Sequence, residues 1–391
     1  MYDIPRLLFA DDKGTIYDHP TLKMTVRSEN LKTIPYELEM EPVPDNVKPE
    51  YLENASPLAY NQEKAGIEVF KSGHAIFIQP PEGYLRLYLP AYQKRNNDIL
   101  LPKPYTPVGW MNESFVSPIT VVDKLPSSES VNTGKKFHGF LKSYKKENAF
   151  KDFLLLNSDL YHTKNEEIVF PLSEETSNFS ENDLTTILEH YSKIASYPIL
   201  NICHNNFKEQ TNPDNFLNII ERIKSKNDNM TIIYSSNLQD MVILKKIVES
   251  GCDCINAELM TTNSETGWIV DESVSIENVY KSLQAIYRKN IYKSLTLHTL
   301  PGLTDRQTET ESLIDFLSTF NIDLLLLRNM EIDPDIIFMN NNLKNEDIKG
   351  LKNMLKLVKK KVKNIKIGYF NRHKDHFLLE HKLPVLKRRK S

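Results

Sequence analysis

Cysteine is scarce in this chain: three in 391 residues. That odd and small number excludes a disulfide scaffold and fits a reducing cytoplasm, the expected compartment. Glycine is scarce too, at 12 residues, about 3% against the usual ~7%. Neither G-x-G-x-x-G nor G-x-x-x-x-G-K-[ST] occurs, so a Gly-rich phosphate cradle is not expected. No apolar run approaches the ~18 residues of a membrane span, and no membrane association is expected. The segment Met1 to Asp12 has no basic stretch followed by an apolar one, so no secretory signal is read there. Neither sign of charge dominates. Lys+Arg 49 against Asp+Glu 52 leaves a net −3, which excludes a molecule that binds polyanions over its whole surface.

What is present is an ordinary globular composition, 40% hydrophobic and 26% charged, at a length suited to about two or three domains. Proline divides it. Fifteen of the 21 prolines precede residue 127, and proline costs about 3 kcal/mol in a helix interior. Residues 1–150 are therefore predicted to be a Pro-rich, mainly β domain with a linker. Its strands are expected near 73–78, 84–89 and 115–122, and its connection at 124–150. From about residue 166 apolar runs alternate with helical periodicity. Strands are predicted at 167–172, 198–203, 230–234, 252–259, 294–300 and 322–327, with a helix after each. Six βα repeats imply an α/β fold, a partial (β/α)6 TIM-like barrel over residues 151–342, with a flat doubly wound sheet as the alternative. In either, ligands would sit at the carboxyl ends of the strands. Residues 343–391 are predicted as a basic extension: a helix over 342–364, a strand over 365–370, and a tail. Positions 344–391 hold 16 Lys/Arg against 4 Asp/Glu, and the tail ends in Lys387, Arg388, Arg389 and Lys390. A solvated helix face with a basic tail is the leading reading, and nucleic-acid contact through those four residues the lesser one.

Several segments carry a family resemblance. They include Met1-Tyr2-Asp3-Ile4-Pro5, Tyr105-Thr106-Pro107-Val108-Gly109-Trp110 and Leu300-Pro301-Gly302-Leu303-Thr304-Asp305. Others are Arg328-Asn329-Met330-Glu331-Ile332-Asp333-Pro334-Asp335 and Ile367-Gly368-Tyr369-Phe370-Asn371. In this order they resemble a group of radical S-adenosylmethionine (radical SAM) proteins with an N-terminal extension. The resemblance implies a partial (β/α)6 barrel of radical SAM type. It also implies a C-x-x-x-C-x-x-C loop after the first barrel strand, holding a [4Fe–4S] cluster. The matching loop, Ser173 to Ser180, contains no cysteine, and the Gly-Gly-Glu-type segment of the family is replaced by His204-Asn205-Asn206-Phe207-Lys208-Glu209-Gln210. An iron–sulfur cluster is therefore not expected, and S-adenosylmethionine is expected to bind weakly. Cys252 and Cys254 are read as sharing one strand face near its start, and Cys203 as closing another strand at the opposite end.

The polar residues predicted at the strand ends are His204, Asn206, Glu258, Thr261, His298, Asp305, Arg328, Asn329, Glu331 and Asp333. Glu258, Asp305, Arg328 and Asn329 are the candidates for binding a cofactor. His204, Glu258, His298 and Asp333 are metal-ligand types, but no H-E-x-x-H or H-x-H spacing supports a metal, and none is assigned. No catalytic residue is assigned from spacing. Three functions follow. The first is a cluster-less barrel acting as a binding or scaffold protein, with a protein partner. The second is an enzyme using the mouth with S-adenosylmethionine or a metal on His and carboxylates. The third is a nucleic-acid-associated protein.

Overall fold

The computed structural model describes residues 6–23, 25–27, 33–35, 39–42, 48–52, 56–79, 93–95, 98–103, 136, 140, 167–171, 181–204, 213–226, 229–300, 302–330, 337, 347–368 and 370–377. The predicted strands at 84–89 and 115–122, the loop 173–180, residues 205–210, Glu331, Asp333 and the tail from 378 lie outside them.

Before residue 127 the described residues form strands and turns, as the prolines require. Strands Arg6–Ala10, Ile16–Lys23, Leu58–Asn61 and Gly66–Val69 make a four-stranded antiparallel sheet. Leu7, Leu22 and Ala59 are buried together against Phe70. Gly73 is needed where it stands, because a Cβ there would come 2.4 Å from the Phe9 ring and 2.7 Å from that of Phe70.

The larger sheet is parallel and seven-stranded. Its elements are β1 (Glu167–Pro171), α1 (Glu181–Ile194), β2 (Ile199–His204), α2 (Pro213–Lys226), β3 (Thr231–Ser236), α3 (Met241–Glu249) and β4 (Cys254–Leu259). Then come α4 (Ser264–Val270), α5 (Ile276–Ala285), β5 (Tyr292–Thr299), α6 (Gln307–Thr319), β6 (Leu324–Asn329), α7 (Leu351–Lys361) and β7 (Lys366–Gly368). Strand order follows chain order. All six predicted strands and their main helices are present. The sheet has one strand more than the six repeats, because the strand predicted at 365–370 pairs with β6 as its last member. The short α4 was not predicted. Asp240 starts α3, its Oδ1 accepting from Val242 and Ile243 N–H at 2.8 and 2.9 Å. Gly251 ends it at φ +95°, a conformation that suits glycine.

Side chains alternate between two faces of this sheet. The outer face meets the helices: Leu200, Ile202, Ile232, Ile255, Leu295, Leu297, Leu325 and Leu327 pack with Leu188, Leu244, Leu283, Phe316 and Leu355. The inner face curls onto itself, since Ile199, Ile233, Cys254, Tyr292 and Leu324 from five strands form one cluster. The chain returns after β7 to close the bottom of that space. Phe377 stacks on Tyr292 at 3.9 Å between centroids, His373 Nε2 meets the Asn229 carbonyl at 2.6 Å, and Lys374 N–H donates to Thr231 Oγ1 at 2.8 Å. Asn371 reaches from this segment to the first strand, donating to Glu167 Oε1 at 2.9 Å across the seam.

Candidate functional site

Above the apolar bottom, the inner face turns polar. Barrel interiors are usually layers of Val, Ile and Leu. Here one hydrogen-bonded chain crosses five strands. Ser294 and Thr296 hydroxyls donate to Asn256 Oδ1, both at 3.0 Å, and Asn256 Nδ2 donates to Ser235 Oγ at 3.0 Å. Ser235 donates to Asn201 Oδ1 at 2.6 Å, and Asn201 Nδ2 donates to Glu167 Oε1 at 2.7 Å. Every proton points toward Glu167, whose carboxylate terminates the series. All six residues are buried. Register explains its middle: Ser235 pairs with Asn256 and Asn256 with Ser294 in adjacent parallel strands, so these three share one rung, and the chain then steps down one inward position to Asn201 and another to Glu167.

That rung is the floor of the mouth. One position further along the same face stand Cys203, Glu258 and His298, with Arg328 beside His298 in register. A cavity of about 210 Å³ opens there, lined on the strand side by Asn237, Glu258, Thr261 and His298. Its other wall is apolar: Leu259, Met260, Val270, Val274 and Ile276, with Gly267 in α4. Asn256 Nδ2 lies 3.5 Å from Glu258 Oε1, linking floor to wall. The cavity is smaller than the ~300–1,000 Å³ of drug-sized sites, so it suits a small ligand. Among the described residues neither lysine nor arginine lines it, and its carboxylates are Glu258 and Asp271.

The wall is held by one buried carboxylate. Glu309 of α6 accepts from Thr261 Oγ1 at 2.5 Å, Asn263 Nδ2 at 3.0 Å and Thr266 Oγ1 at 2.5 Å. Burial pushes its carboxyl above the usual range, against the lowering effect of these three donors. Asn263 also starts α4, accepting from Glu265 N–H at 3.0 Å. Thr261 therefore belongs both to the cavity and to the clasp.

The three thiols occupy three environments. Cys252 lies in the outer core, donating to the Ile232 and Cys254 carbonyls at 3.2 and 3.1 Å, and burial pushes its thiol up to about 12. Cys254 lies in the inner bottom cluster, 3.5 Å from Ser294 Oγ. The expectation that these two share a face is corrected: the strand starts only at Cys254, and Cys252 precedes it on the helix side. Cys203 stands toward the other end, next to last in β2. Burial raises its thiol well above the ordinary value, helped by Glu258 and Glu167 and opposed by Arg328 and a hydrogen bond with Ser235.

Of the residues predicted for the site, Glu258, Thr261 and His298 come together in the cavity. Arg328 is exposed at the end of β6 in register with His298. Asn329 closes that strand, paired with Thr299. Asp305 is elsewhere: fully buried, its Oδ1 accepts from Gly302 N–H at 2.7 Å and its carbonyl accepts from Lys349 N–H. It closes the turn before α6, where Gly302 has φ +86°. His204 was expected at the mouth but faces the helices, its Nδ1 2.9 Å from the Tyr234 hydroxyl, and burial lowers its imidazole. Among the described residues no group of three His, Cys, Asp or Glu side chains could hold a metal ion, and no helix is long and apolar enough to cross a membrane. The polar rung and Glu309 were missed. The rung had a signal, since Ser294-Leu295-Thr296-Leu297-His298 alternates strictly; Glu309 had none.

No protein-family model and no curated protein matches the sequence. Solved structures match in outline. Methylornithine synthase is similar over 64% of this chain and 84% of its own, at 11% identity and a TM-score of 0.36. HydG, a maturase of the [FeFe]-hydrogenase, is similar over 61% and 62%, at 13% identity and 0.37. A putative deoxyribose-phosphate aldolase from Coccidioides immitis is similar over 61% and 83%, at 9% and 0.31. The likeness to radical SAM enzymes is distant and at low identity.

Proposed function

We propose that this chain is a cluster-less relative of the radical SAM proteins with an N-terminal extension, a pseudoenzyme that binds a small ligand at the mouth of its barrel. The observation that carries this reading is the cavity at the ends of β4 and β5, polar on its strand side, apolar on its α4 side, and set on a polar floor. The donor set does not fit a [4Fe–4S] cluster. Cluster ligands must converge, whereas Cys252 packs under the helices, Cys254 at the bottom and Cys203 at the mouth. The loop matching the family's cluster loop supplies no thiol.

Two measurements test it. After anaerobic treatment with iron and sulfide, the protein should stay colourless and lack stoichiometric iron; a broad absorption with about four irons per chain overturns the reading. Calorimetry with S-adenosylmethionine should show affinity toward millimolar. Losing the iron chelate and the Gly-Gly-Glu contact removes charge-assisted bonds of about 1.5–3 kcal/mol each, at ~1.4 kcal/mol per tenfold. Binding tighter than about 10 μM favours the second reading, an enzyme using the same mouth. The pairing of Glu258 with His298 in one cavity supports that alternative.

A further inference from the structure

We infer that α7 presents a surface that binds the phosphate backbone of nucleic acid, separate from the barrel mouth. Leu351, Met354, Leu355 and Val358 fix its inner side in the core. Its outer side is lysine. Lys352, Lys356, Lys359, Lys360, Lys361 and Lys363 are all exposed, and no acidic residue lies between Ile348 and Lys366. Lys352, Lys356 and Lys359 recur at intervals of four and three, so they form one stripe along the helix, and Lys363 follows its C-terminal end.

Helix stability does not account for this stripe. Lysines in the last turn suit the negative end of the helix, which explains Lys359, Lys360 and Lys361. Lys352 sits in the first turn, where a positive charge is unfavourable and acidic residues are absent. The pairs 352/356 and 356/360 place like charges four residues apart on the helix, each destabilising in isolation. Among the described residues no ion pair with an acid relieves the repulsion. On α6, Glu311 accepts from Gln307 and Asp315 acts on Tyr280 of α5, on the other side. A surface that repels itself is neutralised by a polyanion.

The buried apolar side selects among polyanions. A helix that binds a bilayer inserts its apolar face, and here that face is committed to the protein core. What remains is charge with no hydrophobic anchor, which suits phosphates recognised by counterion release. The stripe spans about 10 Å over the seven steps from Lys352 to Lys359, at ~1.5 Å each, enough for two or three successive phosphates.

The test uses the full-length protein and a short labelled RNA, titrated at several salt concentrations. Wild type should bind with a salt-dependent affinity. Lys352→Glu/Lys356→Glu/Lys359→Glu should weaken binding at least tenfold and flatten the log–log salt slope by about 2 units, at ~0.7 per contact on a single strand. The triple arginine variant should bind as wild type does, and melting temperatures should confirm that both variants fold. Removing residues 382–391 should leave most of the affinity. The proposal is overturned if the glutamate variant binds RNA unchanged. It is equally overturned if affinity disappears only with the tail, or if wild type binds anionic phosphatidylserine vesicles but not RNA.

Discussion

The two faces of the parallel sheet obey different rules. Outside, the strands bury Leu, Ile and Phe against helices, and polar side chains are fewer, among them His204, Tyr234, Ser236, Lys293 and Thr299. Inside, the same strands bury Asn201, Ser235, Asn256, Ser294 and Thr296. Apolar burial stabilises by about 25 cal/mol per Å², while a buried neutral hydrogen bond nets only ~1 kcal/mol and its loss costs more. The outer face therefore holds the fold. The inner face gives up stability that branched apolar residues would supply, and gains a polar floor under the mouth cavity.

Mutations on the two faces separate these roles. The largest loss is expected outside: Phe316→Ala, in a fully buried position edge-on to Tyr280 and Phe320, should destabilise by about 3–5 kcal/mol in denaturant melts. Inside, Asn256→Leu should cost about 2 kcal/mol, because Ser294 and Thr296 lose their acceptor. Adding Ser294→Ala and Thr296→Val should recover most of that loss, since the two hydroxyls left without an acceptor are then removed as well. A triple variant no more stable than Asn256→Leu would show that the rung is held by more than its own bonds.

The clasp between the faces gives a pH effect. Glu309 in the folded protein keeps its proton above the ordinary carboxylate value of 4.5. Through that window the folded state binds more protons than the unfolded chain, so stability falls as pH rises and levels off beyond the raised value. Glu309→Gln should remove this slope while keeping the fold, as measured by melts from about pH 4 to about pH 7. A slope unchanged in the variant would assign it to another group. The smallest expected effect is Gly267→Ala. Its methyl would stand 3.2 Å from Ile276 Cγ1, both residues lining the cavity. Alanine's helix preference, about 1 kcal/mol, offsets the crowding. Stability should hardly move while affinity for any mouth ligand drops.

The same contrast explains what could be read from the sequence. The outer face was legible because helix and strand periodicities are written in large apolar residues: Leu184, Ile187, Leu188 and Tyr191 recur at helical spacing in α1 and are all buried, with Ile194 partly buried beside them. Glu258 and His298 were legible as polar ends of apolar strands. The rung was only partly so. Alternation shows that Ser294 and Thr296 share a face with His298, but which strands lie side by side, and at what stagger, is set by register. Asp305 beside Gly302 reads as a cap of the next helix before it reads as a ligand, and it is buried in that turn with its Oδ1 on the Gly302 N–H. Cys252 was misplaced because the strand starts two residues later than read, so the alternation that fixes Cys254 does not extend to it. Glu309 meets the loop at Thr261 across 48 positions, and nothing in a helical face announces a partner that distant.

The closure at the bottom of the barrel also sets an order of events on the ribosome. Asn371 donates to Glu167 across 204 positions, and Phe377 must reach Tyr292 before the inner cluster is covered. Domains fold during synthesis at about 5–20 residues per second. For the time between the emergence of β1 and that of the closing segment, the nascent sheet exposes an apolar inner layer and an open edge, the state most prone to misassociation. Chains that stall or terminate before residue 377 should therefore be the ones that chaperones hold and proteases remove.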